Sequence, residues 1–293
     1  RGMSLEAIEG LPPGALAGRR CLVTGSTNGH GRAVAQAFAA LGAELLLHGR
    51  DAERTATVAE ELSGHYGVSA ETLICDMASR LSIDAACAEA LADERPLHVL
   101  VNNAGAVFRR RETTLDGHEA TFGVNYLSLA QLTLRLLPKL AAGGGRIVNV
   151  SSDAHRVVSL DLEDLHTERR RYTLMGAYGR SKLAILYFTR ELARRLGHGS
   201  VTVNACDPGP VRSRIGQNNP GVLADLLAVI MRFTFPTADR AAKMAVHLAA
   251  APELAAAHGA YFRFGKPRRP RLAAHADDVA AALDEASLYY AAQ

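Results

Sequence analysis

The stretch RCLVTGSTNGHGRAVAQAFAALGAELLLHGRD, Arg20 to Asp51, reads as one complete unit of strand, loop, helix and strand. RCLVT, ending at Thr24, is a short apolar run of the kind buried on both faces of a sheet. TGSTNGHG, Thr24 to Gly31, then places three glycines where the chain must turn, and Arg32 to Leu41 has helical spacing. A second apolar run, AELLLHG, ends at Gly49. Two strands joined through a helix lie parallel, because the helix has to return over a face of the sheet.

The same alternation extends outward from this unit. ETLICD ending at Asp76, LHVLVNN ending at Asn103, RIVNVSS ending at Ser152 and VTVNACDP ending at Pro208 are further apolar strands, and AYFRF, near Phe264, is a seventh. Helical patterns fill the intervals at Ala52 to Tyr66, Leu81 to Leu91, Leu115 to Leu140, Ala177 to Leu196, Arg240 to Ala249 and Asp277 to Ala291. The order predicts a single α/β domain, a doubly wound, seven-stranded parallel sheet flanked by helices. Residues 1–15 read as an N-terminal extension and 16–293 as the domain. Two irregular stretches, 153–175 and 209–237, each follow the carboxyl end of a strand, the edge at which open α/β sheets bind ligands. They are the expected walls of a substrate pocket.

Composition narrows the function. A chain of 293 residues, 48% hydrophobic and 22% charged, can bury a large core. Its formal charge is only +3 and its arginines are scattered among acids, so no nucleic-acid partner is expected. Cys21, Cys75, Cys87 and Cys206 show neither metal nor redox spacing and read as reduced, buried thiols; no metal is expected. No segment has a signal-peptide pattern, and the most apolar stretch, Val222 to Met231, is too short to span a bilayer. A cytoplasmic protein without an integral membrane segment is the expectation, with a homo-oligomer compatible with it.

Two local patterns carry chemistry. Glycines at 25, 29 and 31, placed after the first strand, allow a tight turn and close approach of backbone to a pyrophosphate at the N-terminus of the next helix. Tyr178 and Lys182, in GAYGRSK, stand four apart and so share one face of a helix. Pairing 8 Tyr with 4 Lys over 293 positions produces such a spacing by chance in about one chain in ten. By itself the pair could be two polar residues on a surface helix. Nearly every other cation is Arg, however, which suggests that this position wants an ammonium.

These motifs, with NNAG at Asn102 to Gly105, Asn125, VNVSS at Val148 to Ser152 and DPGPVRS at Asp207 to Ser213, follow one another in an order that resembles the short-chain dehydrogenase/reductase family from about Leu16 onward. Within that family the chain is most similar to the retinol dehydrogenase type. The resemblance implies a Rossmann-type fold and a bound nicotinamide dinucleotide. Ser152 would hydrogen-bond the substrate oxygen and Tyr178 would transfer its proton. Lys182 would hold the cofactor ribose and tune the tyrosine, and Asn125 would anchor a water chain behind the lysine. It further implies cofactor contacts from Gly25, Ser26, Thr27, Asn28, Gly29, His30 and Gly31, from Asp76 and Met77, from Asn103, Ala104 and Gly105, and from Pro208, Gly209, Val211 and Ser213. His30 stands where the family usually has an apolar residue. Gly179 and Ser181 would let the cofactor approach the helix.

NAD-binding members usually carry an acid where Gly49 stands; here Arg50 follows, and a guanidinium suits a 2′-phosphate, so NADP(H) is expected. Arg50 also reads as a plain surface cation, with Asp51 capping the next helix. Lysine at 182 and an oxidised nicotinamide are two cations that could bring a tyrosine hydroxyl down from its usual pKa near 10. For substrate, His155 lies close to Ser152, and GVLADLLAVIMRFTF places Leu223 and Leu227 in an apolar stripe, which is also how a helix packs on a core. The expected substrate is a bulky lipophilic carbonyl compound, a steroid, retinoid or polyketide-like ring system. The cluster Arg109 to Arg111 reads either as an anion contact or as a solvated face. A lyase or epimerase on the same fold, and a nucleotide-sensing protein without turnover, remain alternative functions.

Overall fold

The computed structural model describes residues 6–209 and 237–272, together with 279, 281 and 283. Eight strands form one sheet in the order β3-β2-β1-β4-β5-β6-β7-β8. They are β1 Arg20–Val23, β2 Glu44–Gly49, β3 Ala70–Ile74, β4 Val99–Asn102, β5 Arg146–Val150, β6 Thr202–Asp207, β7 Tyr261–Arg263 and β8 Lys266–Arg268. The seven expected strands are all present and parallel. An eighth, antiparallel to β7, is added by a two-residue turn at Phe264 and Gly265. Its sequence, KPR, is exposed at every position, so no apolar run marks it.

Helices cover both faces. α1 (Gly29–Ala40), α2 (Ala52–Tyr66) and α7 (Ala238–Ala250) pack on one side around Val34, Phe38, Val58, Leu62 and Val246. α3 (Arg80–Ala92), α5 (Ser128–Gly143) and α6 (Leu174–Leu196) pack on the other around Ile83, Leu132, Leu136, Tyr187 and Phe188. The strands between are apolar throughout because they are covered twice: β1 and β4 are buried at all four positions. Each such Leu, Val or Phe withdrawn from water contributes on the order of 2 kcal/mol. Capping sets the helix starts: the side chains of Asp51, Ser79 and Thr173 accept backbone N–H groups of Arg54, Ser82 and Gly176.

The helix expected from Leu115 begins later. Gly117, at φ 83°, closes a turn onto Thr114, leaving Leu115 87% exposed. The buried carboxylate of Glu119 then accepts the N–H groups of Thr121 (2.7 Å) and Phe122 (2.9 Å) and starts the short α4, Ala120–Phe122. A π-helical turn, Gly123–Leu127, joins α4 to α5. The described part of the N-terminal extension is docked rather than loose: Ala7 is buried, and Glu9 pairs with Lys243 of α7 at 2.7 Å. Of the C-terminal helix expected over 277–291, most lies outside the described residues; Leu283 is buried, and its carbonyl accepts the Tyr126 hydroxyl at 3.1 Å. Among the described residues no helix is long and apolar enough to cross a membrane.

Candidate active site

The loop after β1 is braced on three sides. Gly25 and Gly29 have φ of 66° and 54°, the left-handed region that glycine enters without steric cost. A Cβ on Gly31 would lie 2.3 Å from both Asn103 Nδ2 and the Gly25 carbonyl, so no side chain fits there. Asn103 is the first brace: its Nδ2 donates to the carbonyl of Thr24 (2.8 Å) and its Oδ1 accepts from His30 Nδ1 (2.8 Å). His30 is therefore a buried polar strut where an apolar residue was the family norm, and burial pushes its pKa down. Thr24 is the second, its hydroxyl oxygen accepting the N–H groups of Asn103 (2.8 Å) and Ala104 (2.9 Å).

His48 is the third. Its Nδ1 accepts the Gly25 N–H (3.0 Å) and its Nε2–H donates to the Cys75 carbonyl (3.1 Å). Burial drives its pKa down to about 4, opposed by the Cys75 bond and Asp76, so the ring is neutral and of one tautomer. The Ser26 hydroxyl donates to the His48 carbonyl (3.1 Å), and that side chain is buried toward β2. Asn28, the N-cap of α1, is exposed and makes no capping bond with its side chain. The result is a fixed glycine cradle with free backbone at a helix N-terminus, which fits a dinucleotide pyrophosphate.

At the end of β2, a Cβ on Gly49 would meet Thr55 Oγ1 at 2.2 Å and the Thr27 methyl at 2.9 Å, so packing excludes an acid there, and exposed Arg50 is the next side chain. Asp76 is exposed, one carboxylate oxygen accepting the Ala78 N–H (2.9 Å), above buried Met77. Pro208 and Gly209 (φ 76°) leave the end of β6. Val211, Ser213, Leu223 and Leu227 lie outside the described residues.

The candidate reaction centre is assembled where β5 and α6 meet. Lys182 Nζ lies 5.6 Å from the centre of the Tyr178 ring and donates to the Val150 carbonyl (2.9 Å). Ser151 and Ser152 part company: the Ser151 hydroxyl is buried and donates to the Lys182 carbonyl (2.9 Å), whereas the Ser152 hydroxyl oxygen accepts the Ala154 N–H (3.3 Å) and its side chain favours ionisation of Tyr178. Gly179 leaves room for the turn after Ser152, since a Cβ would press on the Ala154 carbonyl at 2.7 Å and on Val158. The glycine thus admits the Ser152 turn rather than a cofactor, and Ser181 is engaged with Asn125 and the Tyr178 carbonyl. The Asn125 amide donates to Ala106 O and Ser181 Oγ (both 3.0 Å) and its oxygen accepts the Ala106 N–H (2.7 Å). Gly105 rests against it, its notional Cβ 3.2 Å from Asn125 Oδ1 and 3.9 Å from Lys182 Nζ.

Burial dominates the electrostatics. It pushes the Tyr178 pKa up to about 12, with the Ser152 side chain pulling down and Asp207 adding to the rise. In the chain by itself burial outweighs any depression of this tyrosine by Lys182, and Tyr178 is a protonated donor. Burial also lowers Lys182 to about 8, opposed by the negative charge of Asp207.

His155 does not face a pocket. Its ring is fully buried, Nδ1 against the Ser152 carbonyl (2.7 Å), Nε2 toward the Arg271 N–H (3.4 Å) and its face against Tyr261. The 3-10 turn after Ser152 directs it behind the serine, where it can only position. The stretch 153–175 is held to the domain by side-chain bonds, with many of its own side chains exposed. Buried Asp164 organises it by accepting N–H groups of Glu168, Arg169 and Arg170. Burial raises that carboxyl's pKa, but these bonds and the Arg170 side chain outweigh it and hold the group near 2. Tyr172 donates to the Phe108 carbonyl (2.8 Å), Arg180 to Thr167 (2.7 Å) and Arg111 to the His166 carbonyl (3.0 Å); Arg109 and Arg110 are exposed.

Sequence reasoning passed over three contributors: His48, Asp207 and Arg263. Asp207 accepts the N–H groups of Asp153 (3.0 Å) and Gly209 (2.8 Å), and Arg263 bridges Asp153 (3.0 Å) and Asp207 (3.1 Å). A charged residue at a strand end, as in HGRD and ACDPG, was the one available signal.

The profile of the short chain dehydrogenase family matches residues 19–221. Human retinol dehydrogenase 13 is 37% identical over 275 residues, covering 91% of this chain and 82% of that protein. DnrU of Streptomyces sp. (strain C5), provisionally named as a daunorubicin C-13 ketoreductase, is 39% identical over 256 residues, 86% of this chain and 85% of that one. Among solved structures, the Pseudomonas aeruginosa RhlG/NADP active-site complex is similar with a TM-score of 0.69 and 27% identity, over 86% of this chain and 97% of that one.

Proposed function

The chain belongs to the short-chain dehydrogenase/reductase family, in its retinol dehydrogenase-like branch, and from that premise we propose that it is an NADP(H)-dependent reductase of a bulky lipophilic ketone or aldehyde, working in the cytosol. The observation that carries this reading is the placement of Lys182 Nζ 5.6 Å from the centre of the Tyr178 ring, one helical turn away on α6, beside a cradle that only glycine can form.

When bound, the nicotinamide supplies the hydride. Tyr178 holds the proton, since burial keeps its hydroxyl neutral, and releases it to the carbonyl oxygen as negative charge develops there. Ser152 donates a hydrogen bond to the same oxygen, so two groups stabilise the growing charge. Lys182, still protonated at neutral pH, places a positive charge against Tyr178 and favours the phenolate left behind. Arg50, at a position where Gly49 excludes a competing acid, supports the preference for a 2′-phosphate. A lipophilic substrate is supported by the relatives, named for retinol and for a daunorubicin ketone.

The test is loss of NADPH absorbance on a panel of retinoid, steroid and aromatic polyketide ketones, with NADH as control. Tyr178→Phe should reduce kcat by about a thousandfold or more while leaving NADPH-induced thermal stabilisation intact. A Tyr178→Phe enzyme of full activity would refute the mechanism, and turnover without net NADPH loss would point to an epimerase or lyase.

A further inference from the structure

The β7–β8 hairpin carries a feature that carbonyl reduction does not use. Arg263 pairs with Lys266 across a turn whose central residues, Phe264 and Gly265, have φ of 50° and 74°. Two successive left-handed residues give the tight turn that matches hairpin twist, and Asn-Gly is its ordinary sequence. Here the first place holds a phenylalanine, in a conformation unfavourable for a bulky side chain, with 64% of the residue exposed. The chain thus places a large, mostly exposed aromatic, one face of its ring 4.6 Å from the Arg263 guanidinium, at a position that would suit a small polar residue.

Positive charge lies behind that tip. RFGKPRRPR, Arg263 to Arg271, holds five cations and no acid. Arg263 is paired with Asp153 and Asp207, but Lys266, Arg268, Arg269 and Arg271 are exposed and have no acidic partner among the described residues. Arg271 Nη1 donates to the Arg156 carbonyl (3.0 Å), which brings exposed Arg156 and Val157, the latter 78% exposed, to the same face.

We propose that this face, the β7–β8 hairpin with the 156–157 turn, docks on an anionic phospholipid bilayer. Its cations suit the headgroup phosphates, and the two protruding apolar side chains, Phe264 and Val157, suit the acyl boundary just below. A polyanion without an apolar layer would leave both of them in water. Addition of a partner strand to the sheet edge is disfavoured, because β8 is only three residues long and contains Lys266 and Pro267. The face also lies on the reacting edge of the sheet: a Cβ on Gly209 would sit 3.3 Å from the Phe264 ring, at the carboxyl end of β6. Attachment is peripheral and independent of substrate identity; reduction of a soluble ketone and binding to vesicles can each fail without the other.

The chain has no tryptophan, so Phe264→Trp introduces a single fluorophore at the tip. With phosphatidylcholine vesicles containing about one-third phosphatidylglycerol, its emission should shift to shorter wavelength, and the unsubstituted chain should float with the vesicles; pure phosphatidylcholine should give neither result. Each cation near such a surface is worth about fivefold, so Arg268→Gln with Arg269→Gln should weaken binding tenfold or more. Arg190→Gln with Arg195→Gln, an equal charge loss in the last turns of α6, should leave it unchanged. Absence of binding to the anionic vesicles, equal loss in both double variants, or tighter retention by a single-stranded oligonucleotide or polyglutamate than by vesicles would each overturn the proposal.

Discussion

Asp207 accepts the backbone N–H of Asp153 at 3.0 Å, so the last residue of β6 holds the turn that presents Ser152 to Tyr178. Its other oxygen accepts the Gly209 N–H, and Arg263 closes the group by bridging both carboxylates. Burial raises the Asp207 pKa, and the Gly209 bond and Arg263 oppose the rise. The same carboxylate supplies negative charge that supports protonation of Lys182. One side chain thus sets both the geometry of the serine and the charge of the lysine.

Removing that charge should therefore be visible in two ways. Asp207→Asn should lower kcat by about tenfold or more through loss of the Ser152 turn, and destabilise the fold by about 2–4 kcal/mol because Arg263 loses a buried partner. A structural lesion alone would stop there. Loss of the carboxylate should also move the alkaline limb of the kcat/KM profile to lower pH, since the Lys182 pKa falls further. A limb that stays in place would separate Asp207 from the lysine.

In the unsubstituted enzyme that limb is set by Lys182, at about 8, well below Tyr178 at about 12. Reduction should decline as pH rises through about 8, while tyrosine is still protonated. The stability sign follows from the same numbers. The unfolded lysine, at 10.5, binds its proton more tightly than the buried one, so this group's contribution to stability improves as pH rises from about 8 to 10.5. Lys182→Met should lose activity yet match or exceed the parent in thermal stability at pH 7, with the gap closing by pH 10.5. Strong destabilisation by that substitution would contradict a burial penalty on the lysine.

The strands were legible because each is covered on both faces and so forms an unbroken apolar run. β8 was not, because hairpin geometry rather than burial makes it a strand. Tyr178 and Lys182 declared themselves by an i, i+4 spacing. The choice between Ser151 and Ser152 depended on family order; the Ser151 bond to the Lys182 carbonyl, which engages that hydroxyl, could not be read from sequence. His155 illustrates the limit: three residues from Ser152 in sequence, it is turned away by the 3-10 turn, a direction that no composition or period encodes. His48 stayed hidden for a related reason, since its partners, Gly25 and Cys75, come from β-strand neighbours 23 and 27 residues away.

Cofactor preference can be tested at two adjacent residues with opposite expectations. Arg50→Gln should weaken NADPH by about tenfold and leave NADH nearly unchanged, as expected for loss of one charge-assisted contact to an exposed phosphate. Gly49→Asp, the obvious substitution toward NADH, should instead cost about 2 kcal/mol or more of stability, because its Cβ would meet Thr55 Oγ1 at 2.2 Å. Titration of both cofactors by thermal shift reads the two effects together. A stable Gly49→Asp chain that gains NADH affinity would show that the β2 terminus yields more readily than its packing implies.

His48 should give the fold an acid limit. Its Nδ1 accepts from Gly25 and its Nε2–H donates to Cys75, an arrangement open only to the neutral ring. The folded pKa, about 4, lies below the unfolded 6.5, so the unfolded chain binds the extra proton first, and stability is lost as pH falls through that window. Between pH 7 and pH 5 the loss from this group is about 2 kcal/mol. Urea unfolding at the two pH values measures it in the parent and in His48→Gln, whose side chain does not titrate. The variant should be less stable at pH 7 and bind NADPH more weakly, because the Gly25 loop loses its strut, but its stability should fall less between pH 7 and 5. Parallel acid limbs in the two proteins would assign that limit to other buried histidines such as His30 and His155, whose pKa values burial also lowers.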